Sequence, residues 1–213
     1  MKIFRTIWTA IFATILMTGA TQAEDNPYEL LQGVATKTFA IIKERQSEIQ
    51  TNPDILKEIV ENELVPYVDY RFAGAKVLGR HFKSIAKDRD LMGAYFEEFR
   101  KYLISTYAVA LSQYDDQDVL FEPAKDYEDK KDVTVRALIK DEGRPDIKIA
   151  FKVRKSSRTD EWKAYDMVAE GISMLSSKST EFESVLRQDG VEKVIEIMRS
   201  VNEKPMKLKT DES

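Results

Sequence analysis

Apolar residues three or four positions apart run through the first half of the chain and predict four helices. Two of them begin at Asn-Pro pairs, Asn26-Pro27 and Asn52-Pro53, in which an asparagine cap precedes a proline that fits the first helical turn. We expect the second helix to end at Val65, because the next residue is a proline. A third helix is expected over 71–82. The fourth begins near 87–90, runs to about 114 and has the clearest apolar face, formed by Phe96, Phe99, Leu103, Tyr107 and Ala110.

Beyond residue 117 the helical period gives way to alternating apolar and polar positions, which predict a sheet. The expected strands cover 118–122, 133–139, 147–153 and 162–169. Turn-forming residues at 141–145 and 156–161 leave only short connections, so neighbouring strands should run antiparallel. Two further helices are expected over 172–188 and 191–201, separated by Gly190. The charged segment 202–213 is expected to fray.

This order of elements predicts a single α+β domain over residues 24–213. We expect an antiparallel twisted sheet of about four strands, covered by the N-terminal and C-terminal helices. The apolar face of the fourth helix is expected to pack on this sheet. Helices over the concave side of a twisted sheet make a cone, which either fills with side chains or encloses an apolar cavity.

Residues 1–23 have the pattern of a secretory signal peptide. Lys2 and Arg5 precede an apolar run from Ile7 to Met17, which is too short to span a bilayer, and small residues lead to a cleavage site after Ala23. The chain contains no cysteine, which suits an exported domain of ordinary size in the bacterial periplasm. The formal net charge of −4 becomes more negative without the basic leader, so general nucleic-acid binding is not expected. We expect a monomer.

Catalytic motifs are scarce. His81 is the only histidine, and neither a nucleophile motif nor a phosphate-binding loop accompanies it, so we predict no enzyme activity, no metal and no cofactor. Asp166 lies inside an otherwise apolar strand, and Glu170 precedes Gly171. A carboxylate there is either a general base in a pocket or a structural partner for Lys, Arg or backbone N–H groups.

Two basic clusters stand out on this acidic chain. They consist of Arg71, Lys76, Arg80, Lys83, Lys87 and Arg89, and of Lys152, Arg154, Lys155, Arg158 and Lys163. Each is either a solvated surface or a site that docks anionic headgroups or acidic partners. The docking candidates are Arg71, Lys76, Arg80, Lys83, Lys152, Arg154 and Lys155.

The stretch WKAYDMVAEGISM at 162–174 resembles the signature region of the MlaC, or toluene-tolerance, family of periplasmic phospholipid-binding proteins. Segments 26–28, 66–74 and 95–103 are similar to that family in the same order. The resemblance implies a carrier that holds a glycerophospholipid as cargo in an apolar cavity. It also implies partners, an outer-membrane lipoprotein–porin complex and an inner-membrane ABC transporter complex, and a role in the lipid asymmetry of the outer membrane.

Candidates for the cavity wall combine inward strand positions, the stripe of the fourth helix, the signature region and a rim near Phe72. They are Phe72, Val77, Leu78, Phe96, Phe99, Leu103, Tyr107, Val133, Val135, Ile149, Phe151, Val153, Tyr165, Met167, Val168, Ile172, Met174 and Leu175. Aspartate at Val135 or Phe151 is predicted to lower the lipid content. Two other hypotheses stay open: an enzyme on a cone-shaped fold with Asp166 as base, and an envelope interaction module without a ligand.

Overall fold

A computed structural model describes residues 26–208, except for 141, 142, 144 and 158. The expected signal peptide and its cleavage site lie outside the described residues, as do part of the turn at 141–145 and residues 209–213. Among the described helices, none combines the length and the apolar character that a bilayer-spanning segment requires.

The described part of the chain begins with three helices, α1 (Pro27–Glu44), α2 (Gln46–Thr51) and α3 (Ile55–Ile59). The carboxamide of Asn26 accepts the backbone N–H of Tyr28 at 3.0 Å, which confirms the predicted cap of α1. The second predicted helix does not stay regular to Val65. It widens into a π-helical turn over 60–64 and tightens into a 3₁₀ turn over 65–67, where Pro66 cannot donate a helical hydrogen bond.

The third predicted helix is interrupted at a glycine. Helix α4 (Tyr70–Leu78) begins at Asp69, whose carboxylate accepts the N–H of Phe72 at 3.0 Å. It ends where Gly79 adopts φ +53°, a backbone conformation that glycine reaches without steric cost. A 3₁₀ turn over 79–81 and the short α5 (Phe82–Ile85) follow, so the helix expected over 71–82 is broken.

The longest of the described helices, α6 (Arg89–Leu111), is capped by Asp88, as the sequence predicted within a few residues. Its aromatic face packs against α4 and two C-terminal helices, α7 (Met174–Gln188) and α8 (Gly190–Asn202). The second half of α6 packs on α3 through Ile104 and Ala108. The expectation that the apolar face of this helix packs on the sheet is therefore wrong for Phe96 and Phe99, because the helices before and after the sheet bury these two rings among themselves. It holds in part for Leu103, Tyr107 and Ala110, which line a cavity together with residues of the sheet.

Within the described residues, five strands form one antiparallel sheet in chain order: β1 (Asp118–Phe121), β2 (Asp132–Lys140), β3 (Ile147–Lys155), β4 (Trp162–Ala169) and β5 (Ile172–Ser173). The α+β class is confirmed. The strand β5 was not predicted, and it takes the first two residues of the expected helix 172–188. Glu170 and Gly171 form the turn before it with φ +49° and +80°, as tight hairpins require.

The C-terminal segment differs from the prediction of a frayed tail as far as residue 208. Met206 is buried, and its N–H donates to the carboxylate of Asp54 at 3.3 Å. Lys57 on α3 donates to the carbonyl oxygen of Lys204 at 2.9 Å. The buried Met206 side chain and these two hydrogen bonds hold the described part of the tail on α3.

Candidate functional site

An apolar cavity of about 410 Å³ lies between the inner face of the sheet, α1 and the second half of α6. Its volume falls within the usual range of small-molecule pockets, about 300–1,000 Å³. From α1 come Leu31, Val34, Ala35, Thr38 and Phe39; from α6 come Leu103, Tyr107, Ala110 and Leu111. The sheet supplies Val119, Phe121, Ala137, Ile139, Ile147, Ile149, Phe151, Ala164 and Met167. The cone predicted from the sequence therefore encloses a hollow.

One end of the cavity is closed by a solid core. Tyr28 and Leu31 of α1 pack there against the sheet. The buried sheet residues in this core are Val133, Val135, Val153 and Trp162. Phe151 and Ala164 lie at the boundary, because they contact this core and also line the cavity.

The other end opens at the edge where β1 and β3 begin and β2 ends. The register pairs Val119 with Ile139 and Ile139 with Ile147, so these three side chains lie side by side across the sheet. All three line the cavity, and Ile147 is 41% exposed. The polar residues Gln113 and Gln117 also line this part of the wall. Because the interior is apolar and this end carries exposed and polar residues, we infer that this end is the mouth of the cavity.

Two of the polar side chains in the wall have hydrogen-bond partners within the protein. The hydroxyl of Thr38 donates to the carbonyl oxygen of Val34 at 2.8 Å, within α1. The amide oxygen of Gln117 accepts the N–H of Asp115 at 2.8 Å. Because these groups are already hydrogen-bonded, they do not demand a polar ligand inside the cavity.

A β-bulge brings two signature residues to the wall. Lys152 pairs with Asp166 and Val153 with Ala164, so Tyr165 has no partner in β3 and the strand turns locally. As a result Tyr165 and Asp166 both reach the cavity. Burial, and secondarily the nearby charge of Asp166, raises the pKa of Tyr107 to about 12, so this phenol is neutral at physiological pH.

Asp166 is structurally engaged. Its carboxylate accepts the ammonium of Lys152 at 2.9 Å, the hydroxyl of Ser173 at 2.7 Å and the N–H of Leu175 at 3.0 Å. It therefore ties β4 to β3 and to the start of α7. Of the two roles left open by the sequence, the geometry favours the structural one. The carboxylate of Glu170 likewise accepts the backbone N–H of Lys148.

Six of the residues predicted to line the cavity are found on its wall. They are Leu103, Tyr107, Ile149, Phe151, Tyr165 and Met167. Their contact with a ligand stays a prediction. Helix α1 is absent from the predicted wall, although its apolar stripe is visible at Val34. Ala35, Ala110 and Ala137 are absent from it too, because small side chains give little hint of a hollow.

The other twelve candidates lie elsewhere. Val77, Leu78, Phe96, Phe99 and Leu175 belong to the core between α4, α6, α7 and α8, while Val133, Val135 and Val153 fill the closed end of the sheet. Phe72 packs edge-on against Tyr165 at 5.0 Å between ring centres, outside the wall. Val168, Ile172 and Met174 surround the β4–β5 turn, and Ile172 is 59% exposed.

Most of the predicted docking cations have partners within the fold. Arg154 pairs with Asp69 at 2.9 Å, Lys155 with Asp160 at 3.3 Å, and Lys152 with Asp166 as above. The Arg80 guanidinium pairs with Glu183, which also lies 3.4 Å from the imidazole of His81.

The remaining docking candidates are not held by carboxylates of the described residues. The Lys76 ammonium lies 5.4 Å from the centre of the Phe72 ring, and the Arg71 guanidinium lies 5.4 Å from that of Phe96. Lys83 forms no ion pair within the described part of the chain. Arg158 lies outside the described residues. Within the described residues, no three His, Asp or Glu side chains lie close enough together to hold a metal ion.

Fold and site together define an α+β protein with a deep apolar pocket, a type of site suited to hydrophobic ligands. The profile of the MlaC protein family matches residues 32–200. The intermembrane phospholipid transport system binding protein MlaC of Haemophilus influenzae is 34% identical over 207 residues, or 97% of this chain and 96% of that protein. The chain therefore belongs to the MlaC family, and the resemblance seen in the sequence is confirmed.

Two further relatives agree. The toluene tolerance protein ttg2D of Pseudomonas putida is 21% identical over 170 residues, which cover 80% of this chain and 77% of that protein. The phospholipid-binding protein from Ralstonia solanacearum, solved in complex with a phospholipid, matches with a TM-score of 0.73 and 22% identity. That match covers 83% of this chain and 97% of the other, and it shows that the two share a fold.

Proposed function

We propose that this protein binds a glycerophospholipid by enclosing its acyl chains in the cavity and carries it through the periplasm between two membranes. The observation that supports this most is the apolar cavity of about 410 Å³ with a closed apolar end and a mouth lined by Ile139 and Ile147. This shape takes hydrocarbon inward and leaves a polar headgroup at the opening.

The physical need for such a carrier follows from hydrophobic transfer energies. Two acyl chains of roughly fifteen methylenes each, at about 0.8 kcal/mol per methylene, cost on the order of 24 kcal/mol to place in water. A cavity lined by Phe, Leu, Ile and Val replaces one hydrocarbon environment with another. The net free energy of transfer from a bilayer can then be near zero, so the same protein is able to load and unload.

The names of the relatives support the same function. One is an intermembrane phospholipid transport system binding protein, and the solved neighbour holds a phospholipid. As partners we propose an inner-membrane ABC transporter complex and an outer-membrane lipoprotein–porin complex, and as role the maintenance of outer-membrane lipid asymmetry. The signal peptide expected at 1–23 fits export to the periplasm. Arg71, Lys76 and Lys83, which are not paired with carboxylates of the described residues, are the docking cations we favour.

Catalysis has less support. A general base must reach a substrate proton, whereas the carboxylate of Asp166 is already held by Lys152, Ser173 and Leu175. An interaction module without a ligand gives no reason for the hollow, since core packing normally leaves few voids larger than a water molecule.

The test starts from protein purified without detergent from the periplasm. Organic extraction and mass spectrometry are expected to recover about one diacyl phospholipid per chain. A second assay follows a labelled phospholipid between two vesicle populations, with and without the protein. Protein that is folded but free of lipid, and that does not accelerate transfer, would contradict the proposal.

A further inference from the structure

One ion pair bridges the mouth of the cavity on its outer side. Lys43 lies in the last turn of α1, and Asp116 lies in the segment that joins α6 to β1. The ammonium contacts both carboxylate oxygens, at 2.8 and 2.7 Å. The two residues are 73 positions apart in the chain, so this ion pair joins two separate walls of the cavity.

The residues beneath this pair belong to the cavity wall. The rings of Phe39 and Tyr114 stack at 4.4 Å between centres with planes 27° apart, and both line the cavity. Gln113 and Gln117 flank Tyr114 on the wall of the same segment. The ion pair and the ring stack therefore bridge α1 and the 112–117 segment over the hydrocarbon space.

The ion pair is a weaker tie than the buried cluster at the closed end, because the side chains of Lys43 and Asp116 are 65% and 63% exposed. The end of α1 is also held to α6 by an apolar cluster that includes Ile42, Ile104 and Ala108, and from the 112–117 segment Tyr114 packs against that cluster. Exposed ion pairs contribute little to stability and exchange partners readily. Asp116 also has φ +61°, a left-handed backbone conformation that Asp tolerates better than most residues. The walls should thus separate here first.

We infer that Lys43 and Asp116 form a latch, and that the phosphodiester of an arriving lipid opens it by taking Lys43 from Asp116. The inference rests on the proposed function and goes beyond it, because it assigns Lys43 as the residue that recognises the phosphate. An ammonium binds phosphate oxygens as it binds a carboxylate. Asp116 is exposed and regains its water when it is released. Lys43 keeps an anionic partner throughout, while α1 loses its ion pair to the 112–117 segment. The stack of Phe39 on Tyr114 then remains between them, and it has to part before the acyl chains can pass.

Two soluble lipids distinguish the effect of the phosphate from that of the acyl chains. Dihexanoyl phosphatidylglycerol and dihexanoylglycerol have the same acyl chains, and the second has no phosphate. With lipid-free protein, we expect the phospholipid to associate faster, by at most roughly fivefold, since an exposed ion pair is a small barrier. Asp116→Asn should raise the rate for dihexanoylglycerol to that of the phospholipid. Lys43→Gln should raise the rate for dihexanoylglycerol too and abolish the preference for the phospholipid.

The matched control removes an equally short ion pair elsewhere. Lys193 and Glu196 are 2.7 Å apart on α8 and comparably exposed, so Lys193→Gln should change neither rate. Inorganic phosphate added to the dihexanoylglycerol titration distinguishes the two sources of phosphate. If inorganic phosphate leaves the association rate of dihexanoylglycerol unchanged, the result supports the lipid phosphodiester as the group that opens the latch. If it raises that rate, the assignment is overturned in favour of a free anion.

A cross-link tests the opening itself. Because the chain has no cysteine, the double variant Lys43→Cys, Asp116→Cys offers a single pair of thiols for a short bismaleimide. Loaded protein should lose its ability to release lipid to vesicles after cross-linking, whereas the unlinked variant releases it. The latch would be overturned if both forms released lipid at the same rate, or if no variant changed the rates in the two-lipid assay. Either result would leave the proposed function standing. Failure of the wild type to bind either lipid would overturn the proposed function as well.

Discussion

Aspartate at Phe151 and at Val135 should have different consequences, although the sequence suggested the same one for both. The two residues are direct partners across β2 and β3 and point to the same face of the sheet. Phe151 is half-buried and lines the cavity, whereas Val135 is fully buried in the core at the closed end. One substitution puts a carboxylate beside an empty space, and the other puts it among packed side chains.

The magnitudes follow from hydration. In the empty cavity the new carboxylate at 151 can keep water, so the protein should fold with a moderately lower Tm. Acyl chains that fill the cavity must remove that water, and a penalty of at least about 3 kcal/mol lowers affinity roughly 150-fold. At 135 no water is available, so folding itself bears the desolvation of the carboxylate and the loss of a buried Val. The sum is about 5 kcal/mol or more, comparable with the whole stability of many domains.

Circular dichroism with thermal melting, followed by phospholipid quantification on the same samples, separates these outcomes. We expect Phe151→Asp to be folded and nearly free of lipid, Phe151→Leu to keep its lipid, and Val135→Asp to be unfolded or aggregated. Wild-type lipid content in folded Phe151→Asp would refute the assignment of Phe151 to the binding cavity. A stable, lipid-free Val135→Asp would show that the hollow extends into what we describe as solid core.

Three further substitutions test other parts of the structure. Ala137→Phe fills the cavity from β2 and should reduce phospholipid per chain at least severalfold, while Ala150→Phe, on the opposite face of β3, should leave it unchanged. Asp166→Asn weakens charge-assisted hydrogen bonds and should lower the free energy of unfolding, measured in urea, by about 1.5–3 kcal/mol, while lipid transfer is kept. Loss of lipid transfer in the folded variant would give Asp166 a direct role in transfer. Because the pKa of Tyr107 is raised in the folded protein, the tyrosine ionises first in the unfolded chain. The free energy of unfolding should therefore fall by up to about 3 kcal/mol as the pH rises from 10 towards 12. It should fall less in Tyr107→Phe, and equal pH profiles of the two proteins would contradict this.

The sheet was predictable because its strands alternate. Val133, Val135, Ala137 and Ile139 occupy one face of β2 in sequence and in the structure. Alternation identifies the face of a strand but not the position along it at which packed core ends and the cavity begins. Val135 and Ala137 are therefore equivalent in the pattern, and only the fold separates them.

The helical half was less predictable for a different reason. The stripe of α6 showed that it is buried, but no local pattern states which partner buries it. Phe96 and Phe99 were consequently assigned to the sheet, whereas they pack with α4 and the C-terminal helices. Gly74 on α4 makes this possible, because a side chain there would begin 3.1 Å from both rings. Contacts between residues so far apart in the chain depend on the whole topology.

The most direct test of the central claim locates the acyl chains themselves. Lipid-free protein is loaded with a phospholipid that carries a photoreactive diazirine at the end of one acyl chain, irradiated, digested and mapped by mass spectrometry. The structure predicts adducts on residues that line the closed half of the cavity, such as Leu31, Phe121 and Phe151. Adducts confined to the outer surface, in protein that carries the lipid, would contradict the claim that this cavity holds the acyl chains.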